Sequence, residues 1–238
     1  MTNDRALRIG IGFGRQAGSS RSRRLCSACV DILQVSGAGV TLMSGRNSGP
    51  VCSSSALVGQ LEDLQFALGE GPSIDAFTTG LSVSEPELAA CSASTWPHYA
   101  RRAFDLGARA VFAFPLRLDT NPIGVLTLYQ DRVGPLTEQQ STDSGILATV
   151  LAHTISSIQA TSTPPLLASE LSDVNAHRAE VHQASGMIAI QLDTDVGTAL
   201  MRMRAHAYAT DQSVACVARE IVAHRLHLGD DRPIDKKE

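Results

Sequence analysis

The chain has 238 residues, 43% of them hydrophobic, with 20 Lys and Arg against 24 Asp and Glu for a formal net charge of −4, and that length accommodates two domains with apolar cores. No stretch approaches the ~20 continuous apolar residues of a membrane-spanning helix, and the N-terminal stretch, broken by glycine and arginine, lacks the apolar run of a signal peptide, so the expected compartment is the cytoplasm. Five cysteines, odd in number and without the spacing of a disulfide framework, are expected as reduced thiols.

In chain order, residues 1–24 carry six arginines against Asp4 and are expected as a flexible basic arm. Its Gly10-Ile11-Gly12-Phe13-Gly14 run lacks the spacing and the strand-to-helix context of a dinucleotide-binding loop. From Leu25 to about Gln159, short apolar runs alternate with helical segments, which marks a mixed α/β domain. A helix is predicted over Leu25–Val35. The Cys26-Ser27-Ala28-Cys29 spacing on it has no second metal-ligand pair and no redox-active context, so these read as buried, inert thiols. Strands are predicted over Gly39–Met43 and Val51–Ser55 across a turn rich in Gly, Asn and Ser, then a helix over Leu57–Leu68 and a short strand at Leu81–Val83. Ala110–Leu118 and Ile123–Tyr129 read as a hairpin turning at Asp119-Thr120-Asn121-Pro122, and a closing helix is predicted from about Thr137 to Gln159.

Four segments of this region, QFALGEGPSIDAFTTG, the Trp96-Pro97 pair, LGARAVFAFPLRL and IGVLTLYQDRVGPLT, resemble the GAF domain of actinobacterial GAF-ANTAR regulators. The resemblance implies an antiparallel sheet flanked by helices, with a ligand cavity on one face and a sensory role. Candidate cavity residues are Gly69, Glu70, Gly71, Pro72, Asp75, Trp96, Phe112 and Phe114, since apolar walls with few polar groups suit a small ligand. Each also has an ordinary structural explanation: a tight turn at Gly69 and Gly71, a helix start at Pro72, a core position for Trp96. One GAF-fold family reduces free methionine sulfoxide with cysteines, but Cys52 and Cys91 lie far apart without that motif, so no catalytic residue is assigned. His98 reads as a partly exposed histidine rather than a haem ligand, and neither cofactor nor metal is expected.

Residues 161–170, with Pro164-Pro165, read as a linker whose prolines end one helix and start the next. Leu147, Leu151, Thr154 and Ile158 before it, and Leu167, Leu171, Val174, Arg178, Val181, Ser185, Ile188 and Leu192 after it, follow heptad spacing. That pattern suits a coiled coil between two chains and predicts a homodimer, although packing within one chain meets the same pattern.

Beyond the linker, three amphipathic helices are predicted from the stripes Val181/Ala184/Ile188/Leu192, Val196/Leu200/Met203/Ala207 and Val214/Val217/Ala218/Ile221/Val222. Oxygen-bearing residues at Asp193-Thr194-Asp195 and Thr210-Asp211-Gln212-Ser213 mark the two later helix starts. The HQASGMI segment, the AL-x-R-x-RA-x-A segment and V-x-x-VA-x-x-IV resemble an ANTAR domain over roughly residues 171–228, followed by a tail at 229–238. The resemblance implies an RNA-binding antiterminator module. Many ANTAR sequences place Lys or Arg just before the glycine of the first helix, where this chain has Ser185. Opposite the second stripe lie Thr198, Arg202, Ala205 and Ala209, small and basic, and on the first helix Arg178, His182, Gln183 and Gly186 lie off the stripe. The candidate RNA-binding set is therefore Arg178, His182, Gln183, Ser185, Gly186, Thr198, Arg202 and Ala205. From Glu170 to Glu238 eight basic residues face eleven acidic ones, a balance of −3, so RNA binding would rest on a local face rather than on a general positive field.

The expectation is an α+β GAF sensor followed by an all-α three-helix ANTAR domain, forming a one-component cytoplasmic regulator. Its expected partners are RNA hairpins, an unidentified small ligand and a second copy of itself. The alternatives are a ligand-binding or protein-interaction regulator that does not bind RNA and, more remotely, a thiol enzyme.

Overall fold

The computed structural model describes residues 21–43, 49–91, 95–161, 172–210, 212 and 214–228. The chain divides after Leu171 into two compact units. None of the helices among the described residues is long and apolar enough to cross a membrane.

The first unit begins with helix α1 (Arg21–Leu33), followed by strands β1 (Gly37–Leu42) and β2 (Gly49–Ser53). Then come helices α2 (Ala56–Leu68) and α3 (Pro72–Thr79), strand β3 (Val83–Glu85), a short 3-10 turn at Leu88–Ala90 and helix α4 (Tyr99–Asp105). Strands β4 (Ala110–Leu118) and β5 (Asn121–Gln130) and the long helix α5 (Glu138–Thr161) complete it. The strands form one antiparallel sheet in the order β2-β1-β5-β4-β3. Most expected elements lie within a few residues of their predicted bounds. The exceptions are the short strand, which runs over Val83–Glu85 rather than Leu81–Val83, and α1, which starts at Arg21 and so takes the last four residues of the expected arm. Residues 1–20 lie outside the described residues.

Side-chain alternation assigns the two faces of the sheet. Phe112 pairs with Leu128 and Phe114 with Leu126, while Ala38 and Val40 oppose the same two leucines across β1. These residues and Leu116 pack with Leu25, Cys29 and Leu33 of α1 and with Leu147, Ala148, Leu151, Ala152 and Ile155 of α5. On the other face Val111 opposes Tyr129 and Ala113 opposes Thr127. There Val58 and Leu61 of α2 pack with Trp96, Tyr99, Ala100 and Ala103 around α4, and Ala76 of α3 packs on Ala113 and Val125.

Leu147 and Leu151, whose spacing suited either a seam between two chains or packing within one, are fully buried against their own sheet. One expectation is corrected. The cysteines are not all free: Cys26 of α1 is joined to Cys52 of β2, tying the first helix to the sheet edge. Cys52 opposes Val40 and so projects on the α1 face. Cys29, Cys91 and Cys216 are not disulfide-bonded. Burial pushes the Cys29 thiol up to about 12, which keeps it in the unreactive neutral form.

The second unit contains helices α6 (Ser172–Leu192), α7 (Val196–Ala209) and α8 (Val214–Val222). Val181, Ala184, Ser185 and Ile188 of α6, Ala199, Met203 and Ala207 of α7, and Val214, Val217, Ala218 and Ile221 of α8 are buried. The heptad residues Val181, Ser185 and Ile188 therefore point into a three-helix core within one chain rather than toward a second chain. Leu167 and Leu171 lie outside the described residues. The second stripe is rotated from its predicted setting: Val196 is 51% exposed and Leu200 only half-buried, while Ala199 occupies the core position. Asp195 caps α7 as expected, its Oδ1 accepting the Thr198 N–H at 2.9 Å and its Oδ2 the Thr198 hydroxyl at 2.6 Å. Those hydrogen bonds hold the Asp195 carboxyl below its ordinary value, as expected for an anion at a helix N-terminus.

Candidate functional site

The loop from Gly69 to Pro72 is shaped by the requirements of the helices it joins. Gly69 ends α2 in the left-handed conformation with φ 68°, and its N–H reaches Gln65 O. Pro72 opens α3 at a position where a missing N–H costs nothing. Glu70 caps α4 from across the fold, its Oε1 accepting the His98 N–H at 2.7 Å and the Tyr99 N–H at 2.6 Å. Asp75 of α3 accepts the Trp96 indole N–H at 2.9 Å through Oδ2, and the Trp96 ring meets Tyr99 edge-on at 6.3 Å. Six expected cavity residues, Gly69, Glu70, Gly71, Pro72, Asp75 and Trp96, are thus gathered around the start of α3 and α4. Phe112 and Phe114 are not. The pleat turns both toward α1 and α5, so an aromatic at an even position of β4 cannot line a site that odd positions face.

What occupies the sheet face beneath α2 and α3 is a connected set of buried polar groups that the motifs did not single out. Glu62 and Gln65 project from the inner side of α2, and Thr41, Thr127 and Tyr129 rise from the sheet; all are buried. Glu62 Oε2 accepts the Thr41 hydroxyl at 2.7 Å and Oε1 accepts the Tyr129 hydroxyl at 2.7 Å. Gln65 Oε1 accepts the Ser73 N–H at 2.8 Å, which turns its amide nitrogen to donate to the Tyr129 hydroxyl at 2.9 Å. The Ser73 and Thr127 hydroxyls share a hydrogen bond of 2.7 Å. Tyr99 is completely buried, and its hydroxyl makes no hydrogen bond of good geometry, although it lies near enough to the Tyr129 hydroxyl for each phenol to influence the other's ionisation. Burial first, and then the Glu62 charge, raise the pKa of both the Tyr99 and the Tyr129 phenols.

Two small residues permit this packing. A β-carbon at Gly39 would lie 3.0 Å from the Glu62 side chain, and one at Gly71 would lie 2.6 Å from Gln65 Oε1. The signal in the sequence was the spacing of Glu62 and Gln65 on the face that carries Val58 and Leu61. Polar side chains on an apolar helix stripe are buried only with hydrogen-bond partners. Among the described residues, no three His, Cys, Asp or Glu side chains group as a metal would require.

In the helical unit His182, Gln183, Arg202 and Ala205 are exposed, and a β-carbon at Gly186 would meet nothing within 4 Å. Ser185 is corrected: it is 1% exposed, with its hydroxyl donating to Val181 O at 2.7 Å, and it is not on the surface. Thr198 is half-buried and committed to the α7 cap. The side chain of Arg178 lies outside the described ones. Arg219 faces Glu180 at 3.8 Å and Arg225 pairs with Glu220 at 2.7 Å.

No protein-family model matches the sequence, and comparison with curated proteins gives no match. Among solved structures, the GAF domain of a phosphoenolpyruvate-protein phosphotransferase from Coxiella burnetii superposes with TM-score 0.51 at 13% identity, covering 65% of this chain and 95% of that one. The first unit has the GAF fold. The GAF domain of the Acinetobacter phosphoenolpyruvate-protein phosphotransferase matches at TM-score 0.49 and 16% identity, over 68% of this chain and 96% of that one. A type II free methionine-R-sulfoxide reductase from Thermoplasma acidophilum matches at TM-score 0.42 and 13% identity, over 57% and 92%. At 13% identity the likeness to the Coxiella burnetii domain speaks for the fold alone and carries no chemistry across.

Proposed function

We propose that this chain is a one-component regulator whose GAF-fold unit senses a small ligand and whose three-helix unit binds RNA hairpins and prevents transcription termination. The observation that carries the sensory half is the Tyr99 hydroxyl, buried without a hydrogen bond of good geometry beside the Glu62–Tyr129 hydrogen bonds on the α2–α3 face of the sheet. A buried polar group left unsatisfied costs free energy that a bound molecule recovers. The RNA half rests on the resemblance of residues 171–228 to ANTAR domains, on the exposed set His182, Gln183, Arg202 and Ala205, and on the open space above the half-buried Gly186. Small side chains beside an arginine let a phosphate backbone or an unstacked base approach a helix. Homodimerisation belongs to the same reading, with ligand binding altering the geometry or exposure of the RNA face, and the cytoplasm as its setting.

The test is to crosslink the protein to RNA in its native cell and sequence what is recovered. Enrichment of paired hairpins supports the reading, and Arg202→Glu should then weaken binding of such a hairpin severalfold in a gel-shift titration at matched salt. Equal binding by wild type and Arg202→Glu removes this face. A second reading, a ligand-responsive regulator that does not bind RNA, is favoured by the −3 balance of residues 170–238 and by the burial of Ser185. Recovery of no RNA above background decides for it.

A further inference from the structure

We propose that the ligand of the GAF-fold unit is a small organic cation with N–H donors, an amine or guanidinium compound, held by the Glu62 carboxylate and the Tyr99 hydroxyl. This rests on the reading that the sheet face beneath α2 and α3 takes a ligand, and it assigns the chemical class.

The carboxylate of Glu62 is buried and receives one hydrogen bond on each oxygen, both from neutral hydroxyls. A carboxylate has about four lone-pair sites, so roughly half its accepting capacity is unused. Among the described residues no cationic side chain forms an ion pair or hydrogen bond with Glu62. Burying a carboxylate without a counter-charge is costly, and an N–H-bearing cation supplies both the charge and the missing donors. An anion would meet the buried Glu62 carboxylate in a region of low dielectric, where like charges repel strongly.

The remaining groups fit the same class. The Tyr99 hydroxyl oxygen accepts no hydrogen bond of good geometry, and the rings of Tyr99 and Trp96, edge to face beside it, offer the aromatic surface that stabilises cations. Gln65 of α2 joins this site to the start of α3. Its amide nitrogen rests on the Tyr129 hydroxyl while its oxygen holds the Ser73 N–H at the start of α3. A ligand N–H donating to Tyr129 takes the place of that amide nitrogen, so occupancy of the site breaks the Gln65 bond that joins α2 to β5.

The experiment follows backbone amide shifts of the full-length, isotope-labelled protein by NMR during titration with n-butylammonium, methylguanidinium, 1-butanol and butyrate. The expected result is saturable shifts in α2, α3 and α4 with the two cations. Glu62→Gln, which keeps the shape and the accepting oxygen, should bind them about tenfold more weakly or worse. Tyr99→Phe removes only a hydroxyl that makes no hydrogen bond of good geometry, so it should fold as the wild type does and still bind severalfold more weakly, which keeps the test decisive if Glu62→Gln proves unstable. Binding of butanol or butyrate at this face as tightly as the cations overturns the assignment of class and leaves the ligand site standing. Cation binding undiminished in Tyr99→Phe and Glu62→Gln overturns the assigned residues. No saturable shift with any of the four probes overturns the inference and counts against the ligand-site reading itself.

Discussion

The amide oxygen of Gln65 lies 2.6 Å from where a β-carbon on residue 71 would sit, and the same oxygen accepts the Ser73 N–H at 2.8 Å. Gly71 also has φ 129°, a conformation that residues with a side chain rarely adopt. Gly71→Ala should therefore destabilise the first unit by about 1–3 kcal/mol from backbone strain alone, with a further loss as Gln65 is pushed off Ser73. Chemical denaturation of wild type and variant measures it, and an unchanged midpoint would contradict the geometry of this loop.

Alkaline pH should weaken the same region. In the fold the Tyr99 and Tyr129 phenols have pKa values raised above the ordinary 10.0, by burial and by the Glu62 charge. The unfolded chain then binds fewer protons than the folded one above pH 10, so their contribution to stability is fully present below that pH and is lost as pH rises through and beyond it. Spectrophotometric titration should show two of the three tyrosines ionising only together with unfolding, as followed by circular dichroism. Tyr99→Phe should flatten part of the pH dependence.

The bond between Cys26 and Cys52 spans a sequence separation of 26 residues. Closing a loop of that length restricts the unfolded chain by an amount worth about 3–4 kcal/mol in the chain-entropy treatment. Reduction, or Cys52→Ser, should lower the melting temperature of the first unit, while the buried Cys29 thiol stays unmodified by iodoacetamide until the protein unfolds. Thermal melts with and without reductant check the first statement, and counting alkylated thiols by mass checks the second.

In the helical unit Met203 is fully buried and Leu200 half-buried. Met203→Ala should cost about 2–5 kcal/mol, the range for emptying a core site, and Leu200→Ala distinctly less. Ser185→Lys should destabilise the unit rather than add a surface charge, because it places an ammonium where a small hydroxyl bonds Val181 O inside the core. Melting of the three variants, with RNA binding of Ser185→Lys measured beside it, separates packing from charge.

The sequence by itself determined most of the elements, though not the short helices α3 and α4, and much of their register of burial. Alternation in Ala110–Leu118 and the apolar spacing of Val214 to Ile221 arise from local periods of two and 3.6 residues, which need no knowledge of the rest of the chain. The Asp195 cap was legible for the same reason, as its partner Thr198 is three residues away. Only the tertiary structure decided which face each period served. The heptad spacing of Leu147 and Leu151 is equally compatible with a partner chain and with a sheet, and it was the sheet that covered them. Met203 and Ala207 of the predicted stripe are buried as expected, but a stripe completed by Val196 and Leu200 differs from one completed by Ala199 by a small rotation of the helix, and packing against α6 and α8 set that rotation. The candidate site divided likewise: Glu70, Asp75 and Trp96 were marked by a compact motif region, whereas Glu62 and Tyr129, 67 residues apart and joined at 2.7 Å, meet only because β5 lies in the middle of the sheet beneath α2. Hydrogen bonds between residues so distant in sequence have no local signature, and it is the pairing of the strands that brings such groups together.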